Sequence, residues 1–197
     1  MLTEWSEVAG FRCANVADAL AQAVPTLSRR HAVALMDSAR HLGLLSPIDL
    51  DRAHLTAYRR PGVRRTHAWW EESDARAESP AETWARLACH DAGCPPDVLQ
   101  LLVLERDGRF LARVDLAWLL PDGRWLPVEI DGRSVHEAPS ALFEDRARQN
   151  RLVNAQILLR RYTGAEAWRG SFVTELAAIL VAAGWRPGRR APDRLRL

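Results

Sequence analysis

The chain has 197 residues, 48% of them hydrophobic, which is enough for one large or two small domains with a buried core. Its formal net charge of +2 excludes a general polycation, and no apolar run reaches the ~20 residues that would cross a bilayer. The first residues lack the basic and apolar pattern of a secretory signal, and the three cysteines fit reduced thiols rather than a disulfide framework. A cytoplasmic location is therefore predicted.

The basic residues have an unusual composition, because all 27 are arginine and none is lysine. With so small a net charge, nucleic-acid binding would have to depend on local arginine clusters. An alanine- and arginine-rich chain without lysine also indicates a GC-rich genome, so the composition has a plain explanation as well.

Residues 1–78 are predicted to form a helical region. The segment NVADALAQAV has apolar residues at helical spacing. A second helix is predicted to begin after Ser28 and to end at Gly43, and a third to begin with Ser46 as the N-cap and Pro47 at the first helical position. Another helix is predicted for THAWWEESDARAE.

Between the last two helices lies the segment RRPGVRR, residues 59–65, which we call the arginine loop. Pro61 and Gly62 interrupt the helical pattern there. A solvated loop is the simpler interpretation, but arginine clusters also contact phosphates. The candidates for nucleic-acid contact are Arg59, Arg60, Arg64 and Arg65.

From residue 79 the pattern changes to mixed helix and strand. SPAETWARLACHDAG is predicted to be a helix, with Ser79, Pro80 and Glu82 in capping-box order. Three strands follow, LQLLVL, RFLARVDLAWLL and WLPVEID, separated by the turns ERDG and PDGR. Then come a helix in APSALFEDRARQNRLVNA, a strand in QILLRRYT and a closing helix in GSFVTELAAILVAAGW.

This order predicts an α/β (α+β) domain over residues 79–186, with a mixed sheet and flanking helices rather than repeating βαβ units. The remaining tail, residues 187–197, is predicted to be disordered and arginine-rich.

Three carboxylates are predicted to meet at one end of this sheet. Glu129 and Asp131 lie two residues apart, so they share a strand face, and Asp115 comes from the preceding strand. A two-residue turn in PDGR would pair Asp115 with Ile130, on the wrong face. A three-residue or bulged turn would pair it with Glu129 or Asp131 instead.

Close carboxylates repel one another unless a cation or shared protons relieve them. Oxygen ligands of this kind suit Mg²⁺ or Mn²⁺, and such an ion can orient a phosphodiester and activate water. The plainer alternative is that these acids are solvated residues at strand ends.

The stretch from Ser79 to Trp185 resembles the restriction-endonuclease-like fold with the PD-(D/E)xK type of site. More closely it resembles a nuclease-like family akin to the very-short-patch-repair endonucleases. The matching segments are SPAE, ARVDLAW, VEIDG, FEDRARQNRL and RRYT, in this order. The resemblance implies a restriction-endonuclease-like mixed sheet, a divalent ion and a DNA substrate.

The resemblance also implies roles for single residues. Asp115 and Glu129 would be metal ligands, with a backbone carbonyl near Ile130 completing the site. Glu82 would support the site from the first helix, although its place in a capping box explains it equally well. The residues implied to lie near the scissile phosphate are His136, Asp145 and Arg148.

The sequence departs from the general E-x-K pattern because Asp131 stands where the lysine is usual. The closer family resembles E-x-D-G at this position. The charge-stabilising or water-orienting task of the lysine must then pass to Arg133, to His136 or to a second ion held by Asp131.

The N-terminal helices resemble a segment of longer family members, in which they follow a winged-helix module like that of abortive-infection-type antitoxins. This chain begins after the place of that module, as a shortened form or through a misassigned start codon. Two hypotheses follow: a metal-dependent DNA endonuclease, or a non-catalytic nucleic-acid-binding or antitoxin-like regulator with a degenerate site.

Overall fold

The computed structural model describes residues 5–58, 60–131 and 157–197. The chain divides into two compact units, Met1–Thr83 and Trp84–Leu197. This division falls a few residues after the predicted domain start at residue 79. No helix within the described ranges has the length and apolar character needed to cross a membrane.

The first unit is mostly helical, but it opens with an antiparallel hairpin that the sequence reasoning missed. Ala9 and Gly10 form the two-residue turn, and both have positive φ angles of 51° and 82°, as the favoured hairpin turns require. The predicted helical region, residues 1–78, therefore has a hairpin at its start instead of helix. The elements are β1 Trp5–Val8, β2 Phe11–Ala14, α1 Val16–Ala23, α2 Arg29–His41, α3 Pro47–Ala57 and α4 His67–Glu71, with 3₁₀ turns at Val24–Thr26 and Val63–Thr66.

The predicted helix ends are confirmed where local side chains define them. Ser46 accepts a hydrogen bond from Asp49 N–H, and the Asp49 carboxylate accepts one from the Ser46 backbone, which completes a capping box for α3. Gly43 follows the end of α2 with a φ of 68°. Ser28 holds the N-cap position of α2, where its hydroxyl contacts His31 Nδ1 at 2.9 Å.

A buried carboxylate organises the inside of the first unit. Asp37 is 1% exposed, its Oδ1 accepts from Asp74 N–H at 2.7 Å, and its Oδ2 accepts from the Thr83 hydroxyl at 2.8 Å. These bonds join α2 to Asp74 and to Thr83, which lies in the first turn of the helix Pro80–Asp91.

The second unit contains one mixed sheet with helices, and this confirms the predicted α+β class. The strand order is β6-β5-β4-β3-β7; the central three strands are antiparallel, while β6 runs parallel to β5 and β7 parallel to β3. The helix predicted for residues 138–155 lies outside the described residues. The elements are α5 Pro80–Asp91, which begins before the division, β3 Val98–Leu104, β4 Phe110–Leu119, β5 Trp125–Asp131, β6 Arg160–Thr163, α6 Gly164–Arg169, α7 Val173–Ala182 and β7 Arg194–Arg196.

The prediction of a disordered tail at residues 187–197 was wrong, because β7 forms there. Leu102 N–H donates to Asp193 O at 3.1 Å, and Leu197 N–H donates to Leu104 O at 3.0 Å. Leu195 packs against the apolar clusters of the sheet. The edge of β3 would otherwise present unpaired backbone groups, so a short segment with apolar residues two apart gains by pairing with it.

Candidate active site

The register between β4 and β5 decides whether the predicted acids meet. The strands pair from Leu119 with Trp125 to Leu116 with Val128, and Leu120 N–H donates to Arg124 O at 2.8 Å. Three residues, 121–123, therefore form the turn. The three-residue alternative is confirmed, and the same register places Asp115 directly opposite Glu129, on one face of the sheet.

The side chain of Asp115 makes a hydrogen bond to β5 at the end of the β4–β5 ladder. Its Oδ2 accepts a hydrogen bond from Ile130 N–H at 2.7 Å, just beyond the last backbone pair. The carboxylate thus takes the place of a backbone acceptor. Its position is set by the neighbouring strand, so it is held in place next to Glu129.

Glu129 is a buried acid with a cationic partner on the other side. It is 8% exposed, and its Oε2 accepts from both Nε and Nη2 of Arg161, each at 2.6 Å. Arg161 is the register partner of Glu129 in the parallel strand β6. Sequence reasoning included RRYT in the resemblance but gave Arg161 no role. The only signal in the sequence for a role of Arg161 was the general rule that a buried carboxylate requires a cation.

Asp131 does not lie beside Asp115 and Glu129 as predicted. It is exposed and is the last residue of β5, opposite Thr163. Within the described part of the chain, no three His, Cys, Asp or Glu side chains lie close enough to hold a metal ion. The predicted cluster of three carboxylates is therefore not formed there: Asp131 lies in solvent at the strand end, and the other two acids have protein partners.

The strand on the other side of Asp115 carries a strained residue. The β3–β4 register places Gln100 opposite Asp115, and Gln100 has a φ of 55° although it is not glycine. That conformation costs about 1–2 kcal/mol. Val98 and Leu101 lie three residues apart yet belong to one core cluster, which a regular alternating strand would not allow. Such strain often marks a functional site, and nothing in LQLLVL signalled it.

Glu82 has a local structural role. Its backbone N–H donates to Ser79 Oγ at 3.3 Å, and its carboxylate accepts from Glu78 N–H at 2.9 Å. The predicted cap of α5 is formed, although the carboxylate reaches Glu78 rather than Ser79. A supporting role for Glu82 in catalysis stays a prediction.

The arginine loop lines an open groove of about 560 Å³ in the first unit, together with Tyr58. Gly62 has a φ of 85°, and an added Cβ would lie 3.0 Å from Pro25 O, so the loop needs glycine there. Arg60 is half-buried, whereas Arg64 is exposed.

Arg65 is the arginine of this loop with a clear structural task. Its Nη2 donates to Pro25 O at 3.0 Å and to Leu27 O at 3.3 Å, and its guanidinium lies 5.8 Å from the ring centre of Trp69. It therefore ties the loop to the turn between α1 and α2. The remaining candidates lie outside the described residues: Arg59, Arg133, His136, Asp145 and Arg148.

Comparison with known proteins gives two relatives, both from Mycobacterium tuberculosis: "Uncharacterized protein MT2308" of strain CDC 1551 and "Uncharacterized protein Rv2248" of strain H37Rv. Each is 31% identical over 126 residues, which is 64% of this chain and 45% of the relative. The chain thus spans less than half the length of these relatives. No family model and no solved structure matches the chain.

Proposed function

We propose that the chain is a metal-dependent endonuclease-like protein that hydrolyses phosphodiester bonds of DNA, with Asp115 and Glu129 as ligands of Mg²⁺ or Mn²⁺. One observation carries the proposal: the β4–β5 register brings these two acids opposite each other at a sheet end. Two carboxylates opposite each other on one face of the sheet would supply two of the oxygen ligands of a divalent-ion site.

The residues present fit such an ion by their chemistry. The Nε and Nη2 atoms of Arg161 contact Oε2 of Glu129, and the proposal assigns the other carboxylate oxygen, Oε1, to the ion. Carboxylate oxygens are the ligands that Mg²⁺ and Mn²⁺ prefer, and the resemblance adds the carbonyl near Ile130. When bound, the ion would lower the pKa of an attacking water and offset charge on the phosphate.

The other predicted residues act around this pair. Asp131, exposed at the end of β5, either orients water or holds a second ion. His136 moves a proton, because imidazole titrates near neutral pH. Arg133 and Arg148 contact phosphate oxygens, and the arginine loop adds contacts to the DNA backbone. A cytoplasmic location remains part of this proposal.

The test combines metal binding with cleavage. Mn²⁺ is titrated calorimetrically into wild type, Asp115→Asn and the control Asp122→Asn, an exposed acid of the same hairpin that pairs with Arg124. Plasmid, single-stranded and mismatched DNA are then incubated with Mg²⁺ or Mn²⁺. We expect Asp115→Asn to lose both ion binding and cleavage, with Asp122→Asn unchanged. If wild type binds no ion and cuts no DNA, the proposed endonuclease function is refuted.

A separate variant tests proton transfer. His136→Ala should keep its Mn²⁺ affinity but cut about 10²-fold more slowly, the scale of losing one acid–base group. His41→Ala, at an exposed position in the first unit, serves as the control. A parallel loss of ion binding in His136→Ala would assign it to the metal site instead.

The alternative is a non-catalytic nucleic-acid-binding or antitoxin-like regulator. The neutralisation of Glu129 by Arg161 favours it, because that acid is already compensated without a metal. This hypothesis predicts DNA binding that does not change when divalent ions are chelated, together with no cleavage under any of the conditions above.

A further inference from the structure

We propose that Tyr58 and the arginine loop form a binding site for single-stranded DNA. In this site the ring of Tyr58 stacks on one base, and Arg60 and Arg64 contact the flanking phosphates. The site rests on the DNA-binding part of the proposed function and is independent of cleavage. It gives the first unit a preference for unpaired bases, which the charge of arginine alone does not provide.

The groove beside the arginine loop has the composition that such a ligand requires. Tyr58 forms part of its wall, and the other lining residues, 60–65, include three arginines. None of the described residues that line the groove is acidic. Proteins that bind single strands combine a positively charged groove with aromatic side chains on which bases stack. A lining of one aromatic ring and several cations therefore fits a base that is linked to phosphates.

The ring of Tyr58 is held in place by two histidines. Its centre lies 4.4 Å from the centre of the His67 ring and 5.6 Å from that of the His54 ring. The histidines contact each other, since His54 Nε2 lies 2.9 Å from His67 Nδ1. His54 also stacks on the buried Trp70, with 5.1 Å between the ring centres. A ring that is already fixed loses little conformational freedom when a base stacks on it.

Tyr58 nevertheless stays open to solvent. It is 56% exposed, whereas Trp70 in the same aromatic cluster is 3% exposed. A single exposed aromatic side chain is common on protein surfaces and indicates nothing alone. Here the exposed ring is fixed from behind and forms the wall of an arginine-lined groove, and this combination indicates a ligand with both a flat ring and negative charge.

The arginine loop is seated firmly on the rest of the first unit. Arg65 donates to the Pro25 carbonyl oxygen at 3.0 Å, and Gly62 approaches the same oxygen so closely that a Cβ would lie 3.0 Å from it. Arg60 and Arg64 line the groove together with Tyr58. Because a guanidinium is always charged and matches the geometry of a phosphate, these two arginines are assigned to the DNA backbone.

The test measures the binding of fluorescent oligonucleotides to the full chain by anisotropy. EDTA is present, so that binding is separated from metal-dependent cleavage. The ligands are oligo(dT), a duplex of the same length, and an abasic strand that has the same phosphates but no bases. Each affinity is measured over a range of salt concentrations, because the salt slope counts the phosphates that the protein neutralises.

The variants separate stacking from charge. We expect Tyr58→Leu to bind oligo(dT) roughly 5- to 150-fold more weakly, the scale of one base–aromatic stack, with an unchanged salt slope. Tyr58→Phe keeps the ring and should retain most of the affinity. Arg64→Gln should lower the salt slope on oligo(dT) by up to about 0.7, because one phosphate fewer is neutralised. The control Phe110→Leu, at a 65% exposed aromatic position of the second unit, should bind as wild type.

The abasic strand and the duplex isolate the contact between Tyr58 and a base. Tyr58→Leu and wild type should bind the abasic strand equally, because it has no base to stack. They should also bind the duplex equally, because its bases are already paired and stacked. Circular-dichroism melting shows whether Tyr58→Leu folds. If it does not, Tyr58→Phe and the preference of wild type for oligo(dT) over the abasic strand decide the question.

The outcomes keep this site separate from the proposed catalysis. If binding of oligo(dT) depends on Tyr58 but wild type holds no Mn²⁺ and cuts no DNA, the endonuclease fails and the single-strand site stands. If wild type cuts DNA but Tyr58→Leu binds oligo(dT) as tightly as wild type, or loses equal affinity for the abasic strand, only the single-strand site is overturned. It is also overturned if wild type has no affinity for oligo(dT), or if polyglutamate of equal charge displaces oligo(dT) as well as unlabelled oligo(dT) does.

Discussion

Substituting Glu129 by Gln tests the buried ion pair and the proposed metal site in one variant. Gln keeps the size of Glu but removes the charge that two Arg161 nitrogens contact at 2.6 Å. Removing one partner of a fully buried pair costs roughly 3–5 kcal/mol, because the other charge is left uncompensated. Here Arg161 is 27% exposed and can turn to water, so we expect about 2 kcal/mol, or a melting temperature lower by roughly 5–10 °C.

The measurement is thermal unfolding followed by tryptophan fluorescence, since Trp118 and Trp125 are buried in the second unit. Asp131→Asn, two residues along the same strand and exposed, is the matched control and should melt within about 1 °C of wild type. Calorimetry at a temperature where Glu129→Gln is folded should show at least ~10-fold weaker Mn²⁺ binding. A variant with unchanged melting temperature and unchanged ion affinity would refute both the ion pair and the site.

Three further predictions concern the surroundings of the site and the first unit. Gln100→Gly should be more stable than Gln100→Ala by roughly 0.5–1 kcal/mol in urea unfolding, because both variants lack the Gln side chain and glycine adopts the φ of 55° without strain. Burial and the neighbouring His67 lower the pKa of His54, so the folded state binds fewer protons there than the unfolded state. Stability should therefore fall as the pH drops below about 6.5, and His54→Gln should flatten this dependence in melting experiments. Replacing Arg60 and Arg64 by Gln should reduce the salt slope of DNA binding by up to about 1.8, and an unchanged slope would assign the arginine loop to solvent.

Local signals in the sequence were enough for the class of fold and for many element ends. The capping residues Ser46 and Ser79 and the glycine after α2 act within a few residues of their own position, so they can be read in order along the chain. The turn PDGR and the apolar strands around it predicted the β4–β5 hairpin. The same reasoning placed Asp115 and Glu129 near each other but left their register open.

Tertiary structure decided what surrounds those two acids. The pairing of Glu129 with Arg161 joins residues 32 positions apart, through a parallel register that no local pattern encodes. The strand at Arg194–Arg196 forms because the edge of β3 offers backbone partners, which composition does not reveal. The left-handed backbone at Gln100 lies between Val98 and Leu101, which both pack into one core cluster. Periodicity and caps arise from interactions within one element, whereas the charge pairing and the strain at this site arise from contacts between different strands of the sheet.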